Sequence, residues 1–311
     1  MKNLLLILLL VGSFACGEQT TSTQKDTKPT VNLAEAEEKV TQEETAITET
    51  ETTISIPIQE LSSDITGMYV GEFEATKFRE NRRPSYVNKI TIAIDRLEGD
   101  SIFGRSIVAG NYRPFKGIFE EENTNEMIVY NAKVSEPGDD RYDGKFDFTA
   151  IPSDKKVIGS WVANNSRLAV SERSYKLEKR TFEYNPDLVL PENVSWAKLY
   201  DGKASDEYTD EGEFLTEDVL ALNASNTLLK KEDIENRYKG DLEIIRNTIY
   251  ARHGYSFKNR KLRYIFDSFV DWYMPISTDI RSKLTDVEKK NIDLLKRYEQ
   301  HADRYYDVFG R

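Results

Sequence analysis

The sequence is poor in the residues that build common metal and redox centres. Its 311 residues include two histidines and one cysteine. A zinc site of four cysteines, of two cysteines with two histidines, or of three histidines requires more of these ligands than one chain supplies. The same count excludes a disulfide within the chain and a cysteine redox pair. We therefore predict no metal and no cofactor.

Positive charge is also scarce. The chain has 43 Lys and Arg against 54 Asp and Glu, a formal net charge of -11 at pH 7. Nucleic acid is not an expected partner, because phosphate contacts need clustered Lys and Arg. Hydrophobic residues make up 39% of the chain and charged residues 31%. This polar composition excludes a protein with many membrane spans.

An apolar run does stand at the start of the chain. In "MKNLLLILLLVGSFACGEQ", Lys2 precedes an apolar core over 4–11, and small residues lead to Cys16. This order predicts a secretory signal peptide over 1–15, cleaved before Cys16. The ending "SFAC" resembles the lipobox of bacterial lipoproteins. An ordinary signal peptide that contains a cysteine is the alternative.

The lipobox resemblance implies a membrane anchor. Cys16 would carry a diacylglycerol and an N-linked acyl chain such as palmitate, and several acyl chains hold a protein firmly in a membrane. Gly17 follows the cysteine, which resembles an outer-membrane address. The expected location is therefore the cell envelope, on an outer membrane, facing the periplasm or the cell surface.

The segment 16–63 has the composition of a tether. It is rich in Thr, Glu and Gln, has no aromatic residue, and holds ten acidic and three basic residues. Such a segment does not bury enough apolar surface to fold. Repulsion between its charges favours an extended chain that spaces the folded part from the lipid.

From residue 64 the pattern becomes that of short strands. In "NKITIAIDRLEGDSIFGRSIVAG", Ile90, Ile92 and Ile94 alternate on one face, and Gly99 marks a turn before the next run. About eight such runs fill 64–184 with no long helical pattern between them. We predict an antiparallel β-barrel-like domain, with a faint resemblance in shape to lipocalin barrels. An open sheet and a sandwich are the alternatives.

One acidic loop in this domain superficially matches a calcium site. In "EPGDDRYDG", Asp139 and Asp143 occupy EF-hand-like positions, but Arg141 and Ala150 replace two required ligands. A turn built on Pro-Gly and Asp-Gly pairs explains the loop better. Nearby, "NYRPF" (111–115) is a candidate lining of the barrel mouth.

The rest of the chain divides into a connector, a helical domain and a tail. Proline, glycine and aspartate interrupt 185–230, which predicts an irregular connector. Over 231–300 the apolar residues recur at helical spacing and predict three helices. The third begins at a capping box formed by Thr285 and Glu288, with Leu284, Val287, Leu294 and Tyr298 as its stripe. The tail covers 301–311.

The motif "YARHGY" reads as the end of the first of these helices. If the helix ends at His253, Gly254 takes the left-handed position, and Tyr255 packs on Tyr250 in a Schellman ending. Arg252 and His253 then lie at the negative end of the helix dipole. A single histidine without a nearby nucleophile or acid is weak support for catalysis, so we predict a structural role.

The segment "LEIIRNTIYARHGYSFKNRKLRYIFDSFVDWYMP", followed by "EKKNI", resembles the YARHG domain. The resemblance covers about 231–299. It implies an extracellular module found beside bacterial peptidase and kinase domains and in lipoproteins, with no assigned molecular function. Within it, Asn291 is predicted to be buried and hydrogen-bonded to backbone, near Gly254.

We therefore expect a non-enzymatic envelope lipoprotein whose β domain and YARHG domain bind an envelope protein or a cell-wall component. The alternative is a carrier of a small apolar ligand in the barrel interior. An enzyme would require a perturbed carboxylate pair in a cleft. Aromatic and arginine side chains dominate protein contacts, so the candidate interaction residues, all expected to be exposed, are Arg246, Arg252, His253, Trp272 and Tyr273.

Overall fold

The computed structural model describes residues 64–84, 86–123, 127–195 and 215–305. The predicted signal peptide over 1–15, Cys16 and the tether over 16–63 lie outside the described residues. So does part of the predicted connector, 196–214, and so do residues 306–311 of the tail. Among the described residues, no helix is long and apolar enough to cross a membrane.

The first domain is a closed barrel of eight antiparallel strands. Each strand pairs with the next along the chain, and the last pairs with the first, as in Phe73 opposite Tyr175. This closing pair confirms the predicted barrel and rules out the open sheet and the sandwich. The strands are β1 Gly67–Phe78, β2 Asn88–Glu98, β3 Ser101–Val108, β4 Asn111–Asn123, β5 Ile128–Ser135, β6 Gly144–Ile151, β7 Lys156–Ala163 and β8 Val170–Arg180.

Alternation along the strands fills the barrel interior. On β5, Tyr130, Ala132 and Val134 are buried while the residues between them face solvent. Strand β2 departs from this rule, since all residues over 90–94 are buried. Ile90, Ile92 and Ile94 face inward as predicted, and the outward residues between them are covered because α4 packs on this strand.

The second domain is helical. The predicted three helices correspond to α3, α4 and α5, and α5 continues to Tyr305, into the predicted tail. Two single-turn helices precede them, α1 within the predicted connector and α2 at the start of the predicted helical domain. The helices are α1 Asp218–Ala221, α2 Lys231–Ile234, α3 Lys239–Arg252, α4 Arg260–Phe269 and α5 Asp286–Tyr305, and 3₁₀ turns lie at Glu80–Arg82 and Arg281–Lys283.

The buried faces of α3 and α4 carry apolar residues at helical spacing, as predicted, and the predicted stripe of α5 is confirmed in part. The predicted core positions Val287, Leu294 and Tyr298 are only partly buried. Leu284, Leu294 and Tyr298 nonetheless pack against the buried cluster of this domain. The fully buried face beside them combines apolar residues with two polar ones, whose hydrogen-bonding partners lie on that side. Its buried members are Glu288, Asn291, Ile292, Leu295 and Ala302.

The barrel and the helices form one compact unit. Helix α4 packs on β2, and the contact is sealed by polar bonds at the end of the barrel. Lys89 Nζ donates to the Val270 carbonyl at 2.8 Å. The Gly110 amide, in the β3–β4 turn, donates to Ser256 Oγ at 2.9 Å. The helical domain therefore reaches the barrel end that holds the β1–β2 and β3–β4 loops.

Candidate binding site

A cavity of about 420 Å³ lies at this end of the barrel. Its wall is aromatic, with the Phe73 ring 5.8 Å from Trp161 and 6.4 Å from Phe146. Asn111 and Arg113 line it, as the sequence suggested for the barrel mouth, whereas Phe115 lies in the barrel core. The β7–β8 loop also lines the cavity, and so does the Arg263 side chain of α4. Both domains therefore build the same cavity.

One side of the cavity holds a buried acid, Glu136, which follows β5 in its inward register. Its carboxylate accepts the Ser106 hydroxyl at 2.6 Å, the Gly144 amide at 2.7 Å and the Trp161 indole N–H at 3.5 Å. Burial raises the pKa of Glu136, and the hydrogen bonds from Ser106 and Gly144 oppose that rise. Its oxygen atoms are thus occupied by protein donors.

Arg113 of β4 forms ion pairs with two aspartates of the β5–β6 loop. Its Nε lies 2.8 Å from Asp143 Oδ1, and its Nη2 lies 3.3 Å from Asp140 Oδ1. The other Asp143 oxygen accepts the amides of Gly138 and Asp140 at 2.8 and 3.2 Å. Asp143 therefore anchors a turn, which supports the turn interpretation of this acidic loop over the calcium-loop interpretation.

Two further arginines line the cavity, one from each domain. Arg173 of β8 donates from Nη1 to the Phe73 carbonyl at 2.8 Å, and its guanidinium lies 4.9 Å from the centre of the Phe73 ring. Arg263 of α4 donates from Nε to Tyr86 Oη at 3.1 Å. Burial and then the positive charge of Arg263 lower the pKa of Arg173 to about 10. The two positive charges are therefore close enough to repel one another.

Elsewhere in the helical domain, α3 ends as the sequence predicted. Gly254 has φ +71°, and its amide donates to the Ala251 carbonyl at 2.9 Å. The Tyr255 amide donates to the Tyr250 carbonyl at 3.0 Å, and the two tyrosine rings are 6.0 Å apart. These are the paired backbone bonds and the side-chain contact of a Schellman ending, so that prediction is confirmed.

His253 belongs to a buried polar cluster centred on Glu288. Its Nε2 lies 2.8 Å from Glu288 Oε2, and its ring stacks on Tyr184 at 4.3 Å. Glu288 also accepts the Tyr184 hydroxyl at 3.0 Å and the Thr285 amide at 2.9 Å. The Glu288 amide donates to Thr285 Oγ1 at 3.2 Å, which confirms the capping box. Burial acts to raise the pKa of Glu288, but hydrogen bonds from His253 and Thr285 outweigh it and hold the pKa below its ordinary value.

Asn291 is fully buried on α5, as predicted, and its side chain bonds only backbone atoms among its described partners. It accepts the Leu229 amide at 2.9 Å and donates to the carbonyls of Ala224 and Thr227 at 2.8 and 2.7 Å. The prediction that its backbone partners lie around Gly254 is wrong. Asn291 instead fixes the loop that leads into α2.

The contacts of His253, Glu288 and Asn291 all lie within the helical domain or between it and the segment that precedes it. Residues 217–300 match the YARHG domain family. The match begins inside the segment predicted as a connector and leaves the barrel outside it. Searches of curated proteins and of solved structures found no match to the chain.

The YARHG domain buries most of the predicted interaction residues. The exposed fraction is 4% for Arg252, 3% for His253 and 1% for Tyr273, so the expectation that these three are exposed is wrong. Arg252 is buried because its guanidinium donates to the Leu188 carbonyl at 2.6 and 2.9 Å and to Ser225 Oγ at 3.0 Å. Burial lowers its pKa to about 10.

The other predicted residues keep partial exposure, and the five do not form one patch. Trp272 donates its indole N–H to the Val189 carbonyl at 2.6 Å and lines a groove with Arg252. Arg246 lines a separate cleft and holds Glu299 through contacts of 2.5 and 2.8 Å. Whether any of them contacts a partner stays a prediction.

The residues of the barrel cavity were missed at the sequence level, although a signal for them exists. Arg173 shares the inward register of Tyr175 on β8, and Glu136 extends the inward register of Val134 on β5. A charged residue at an inward strand position needs a partner or a ligand. Arg263 carries no such signal, because its approach to the barrel depends on how the two domains pack.

The chemical resources of the cavity suit binding. Its described lining combines an aromatic wall with three arginines, Arg113, Arg173 and Arg263, and Glu136 is its sole carboxylate among those described residues. The perturbed carboxylate pair that an enzyme hypothesis required is therefore not seen there. Across the described ranges, no group of three or more His, Cys, Asp or Glu is placed to hold a metal ion.

Proposed function

We propose that this chain is a non-enzymatic lipoprotein of the cell envelope that binds a small ligand at the mouth of its barrel. The observation that carries the proposal is the cavity of about 420 Å³ shared by the barrel and the YARHG domain. Its size falls in the range of small-molecule sites, about 300–1,000 Å³. Apolar walls with a few placed polar groups are the usual composition of such sites.

This proposal modifies the expected apolar carrier. The cavity is large enough for such a ligand, but it lies at the mouth and has charged residues in its wall, such as Glu136 and Arg173. The deep interior is filled by the barrel's own side chains, including Tyr69, Phe148 and Leu177. A ligand therefore sits above the core, under the YARHG domain.

Anchoring is part of the same proposal. A lipid on Cys16 would hold the chain on an outer membrane, facing the periplasm or the cell surface, and the acidic segment 16–63 would space the barrel from the bilayer. The support for it is the apolar start of the chain and the single cysteine at the lipobox position. The binding proposal itself does not depend on this anchor.

Binding can be tested with a fluorescent apolar probe. The chain 17–311 contains every described residue, and phenylnaphthylamine brightens when it leaves water for an apolar site. We expect saturable binding that is lost in Ala169→Trp, because Ala169 lines the cavity and is exposed, so that a large side chain fills the mouth. Ser166→Trp on the same loop is the matched control, since Ser166 is exposed and outside the lining.

Two results would overturn this function. The first is the absence of saturable fluorescence with both phenylnaphthylamine and its sulfonated form. The second is binding that Ala169→Trp and Ser166→Trp leave equally intact, because the probe would then sit elsewhere. Circular dichroism of each variant checks that the barrel is folded.

A second candidate function is an interaction of the YARHG domain with an envelope protein or a cell-wall component. A basic cleft with aromatic walls favours it, in a chain that is otherwise acidic. Arg246, Lys258, Arg281 and Lys296 line this cleft with Tyr250. Lys258 and Lys296 are exposed and form no ion pair with the described residues.

This second function is tested by sedimentation with purified, protein-free cell-wall sacculi. We expect the chain 17–311 to pellet, and Lys258→Glu with Lys296→Glu to abolish pelleting. Lys289→Glu, an exposed site outside the cleft, is the control. Trp272→Ala tests the separate groove that Trp272 lines with Arg252. Failure of the wild-type chain to pellet would remove the cell wall as the partner.

A further inference from the structure

The geometry points to a ligand with one acidic head group and a flat apolar body, held with its head between Arg173 and Arg263 and its body against the aromatic wall. This inference rests on the proposed binding function and names the class of ligand. Carboxylates, phosphates and sulfonates share the chemistry of the head group.

The two arginines are the first argument. Each has one N–H group in a side-chain hydrogen bond, Arg173 with the Phe73 carbonyl and Arg263 with Tyr86 Oη. A guanidinium carries five N–H donors, so each keeps others for a ligand. Neither forms an ion pair with a carboxylate of the described residues. Two close positive charges in a partly buried cavity repel, and an anion between them replaces that repulsion with two attractions.

The acids of the cavity do not supply that anion. Glu136 already accepts three hydrogen bonds, from Ser106, Gly144 and Trp161. Asp143 is engaged by Arg113 and by the turn amides. Asp267 of α4 interacts electrostatically with Lys89 and Arg263, but it lies outside the lining and burial raises its pKa to about 7, so it is partly neutral. Arg173 and Arg263 are thus left as the positive pole of the cavity.

The aromatic wall is the second argument. Arg173 lies over the Phe73 ring, which places the positive pole directly beside the apolar surface. Phe73 in turn packs against Phe146 and Trp161. An inorganic anion would leave this surface uncovered in a cavity of about 420 Å³, whereas an acid with a flat aromatic body covers it. Planar guanidinium groups also bind carboxylates and phosphates through paired hydrogen bonds.

The domain origin of the two arginines gives the inference a specific consequence. Arg173 belongs to the barrel and Arg263 to the YARHG domain, so a bound head group bridges the two domains. Removal of either positive charge should weaken the binding of the same ligand. A site confined to the barrel would respond to Arg173 alone.

The test compares two probes that differ by one charged group. Anilinonaphthalene sulfonate is phenylnaphthylamine with an added sulfonate, so the pair isolates the head group. A hydrogen bond to a charged group contributes about 1.5–3 kcal/mol, so we expect the sulfonate to bind about ten- to a hundredfold more tightly. Added salt should weaken the binding of the sulfonate and leave the affinity of the neutral probe unchanged.

Variants assign the effect to the arginines. We expect Arg173→Gln and Arg263→Gln each to lower the affinity for the sulfonate about tenfold or more and to change the affinity for the neutral probe little. Arg173→Lys and Arg263→Lys keep the charge and should restore part of the loss. Arg167→Gln is the matched control, because Arg167 is exposed on the β7–β8 loop and outside the lining.

The outcomes separate this inference from the function on which it rests. If both probes bind the wild-type cavity with equal affinity, and Ala169→Trp blocks both, the binding function stands and the anionic ligand is overturned. If neither probe binds, the function fails as well. Should a Gln variant misfold, the wild-type affinity ratio and its salt dependence still decide the inference.

Discussion

Asn291 shows how one buried side chain can organise a loop. It is 0% exposed and satisfies one amide and two carbonyl groups of residues 224–229. We predict that Asn291→Leu lowers the free energy of unfolding by about 3–5 kcal/mol, because three buried backbone groups lose their partner. Urea unfolding, followed by circular dichroism, measures the change.

Asn226 provides the control for this prediction. It is exposed in the same loop and donates to Asp187 Oδ1 at 2.6 Å. Asn226→Leu should cost about 0.5 kcal/mol or less, since water can replace the lost bond. An equal loss in the two variants would mean that the burial of Asn291 is not what matters.

Glu288 makes a prediction about pH. Its pKa is held below the ordinary 4.5, so the unfolded chain takes up the proton first as pH falls. The stability that this carboxylate contributes is therefore present above about pH 4.5 and is lost as pH falls through the folded pKa. Glu288→Gln should lower the free energy of unfolding by about 1–3 kcal/mol at pH 7.

The pH dependence separates this effect from simple packing. As pH falls through the folded pKa of Glu288 and the carboxyl becomes protonated, the urea unfolding midpoints of the wild-type chain and of Glu288→Gln should converge. Asp286→Asn, in the same helical turn but exposed, should differ little from wild type at either pH. A gap that stays constant from pH 7 to pH 3 would contradict the role of the ionised form.

At the scale of single elements, the end of α3 is set by one glycine. Gly254 has φ +71°, and a Cβ there would approach Ile276 Cγ1 to 2.4 Å and the Met274 carbonyl to 2.9 Å. Gly254→Ala should therefore lower the free energy of unfolding by about 3 kcal/mol or more, from backbone strain and crowding together.

Gly99 isolates the two contributions to that loss. It has φ +60° in the β2–β3 turn, and nothing lies within 4 Å of an added Cβ. Gly99→Ala should cost only the backbone strain, about 1–2 kcal/mol. Thermal or urea unfolding of both variants would refute the crowding argument if the two losses were equal.

The elements also show where sequence reasoning succeeds and where it stops. The Schellman ending and the Thr285–Glu288 capping box depend on residues within one turn, so both were predictable. The α5 stripe was predicted in part, since Leu284, Leu294 and Tyr298 pack against the core. Glu288 was expected only as a capping residue, but it occupies a core position because Tyr184 and His253, distant in sequence, satisfy it there. Arg252 was expected outside for the same reason, since Leu188 and Ser225 are far from it along the chain.

At the scale of the whole molecule, barrel closure was predictable from strand count, but the cavity was not. Inward register places Arg173 and Glu136 at one end of the barrel. The position of Arg263 depends on how α4 packs on β2, which no local pattern encodes. A site shared by two domains is therefore the part of this protein that required a structure.

The anchor gives a prediction at the same scale. In a diderm bacterium, the wild-type chain should incorporate a clickable palmitate analogue and fractionate with membranes, because the proposed acylation of Cys16 would supply the anchor. Cys16→Ser should lose the label and leave the membrane fraction. Ser13→Ala, a substitution near the cleavage point that retains the cysteine, is the control. A label that persists in Cys16→Ser would place the acyl group elsewhere.

The seam between the first and last strands has a consequence for the timing of folding. Arg173 on β8 donates to the carbonyl of Phe73 on β1, residues separated by 100 positions. Pairing of such distant strands is a slow kind of step in folding. A growing chain therefore completes the cavity that we propose as its ligand site only after β8 has emerged and closed the barrel. A ligand that binds only the closed barrel would stabilise the pairing of β1 with β8 and so oppose its separation.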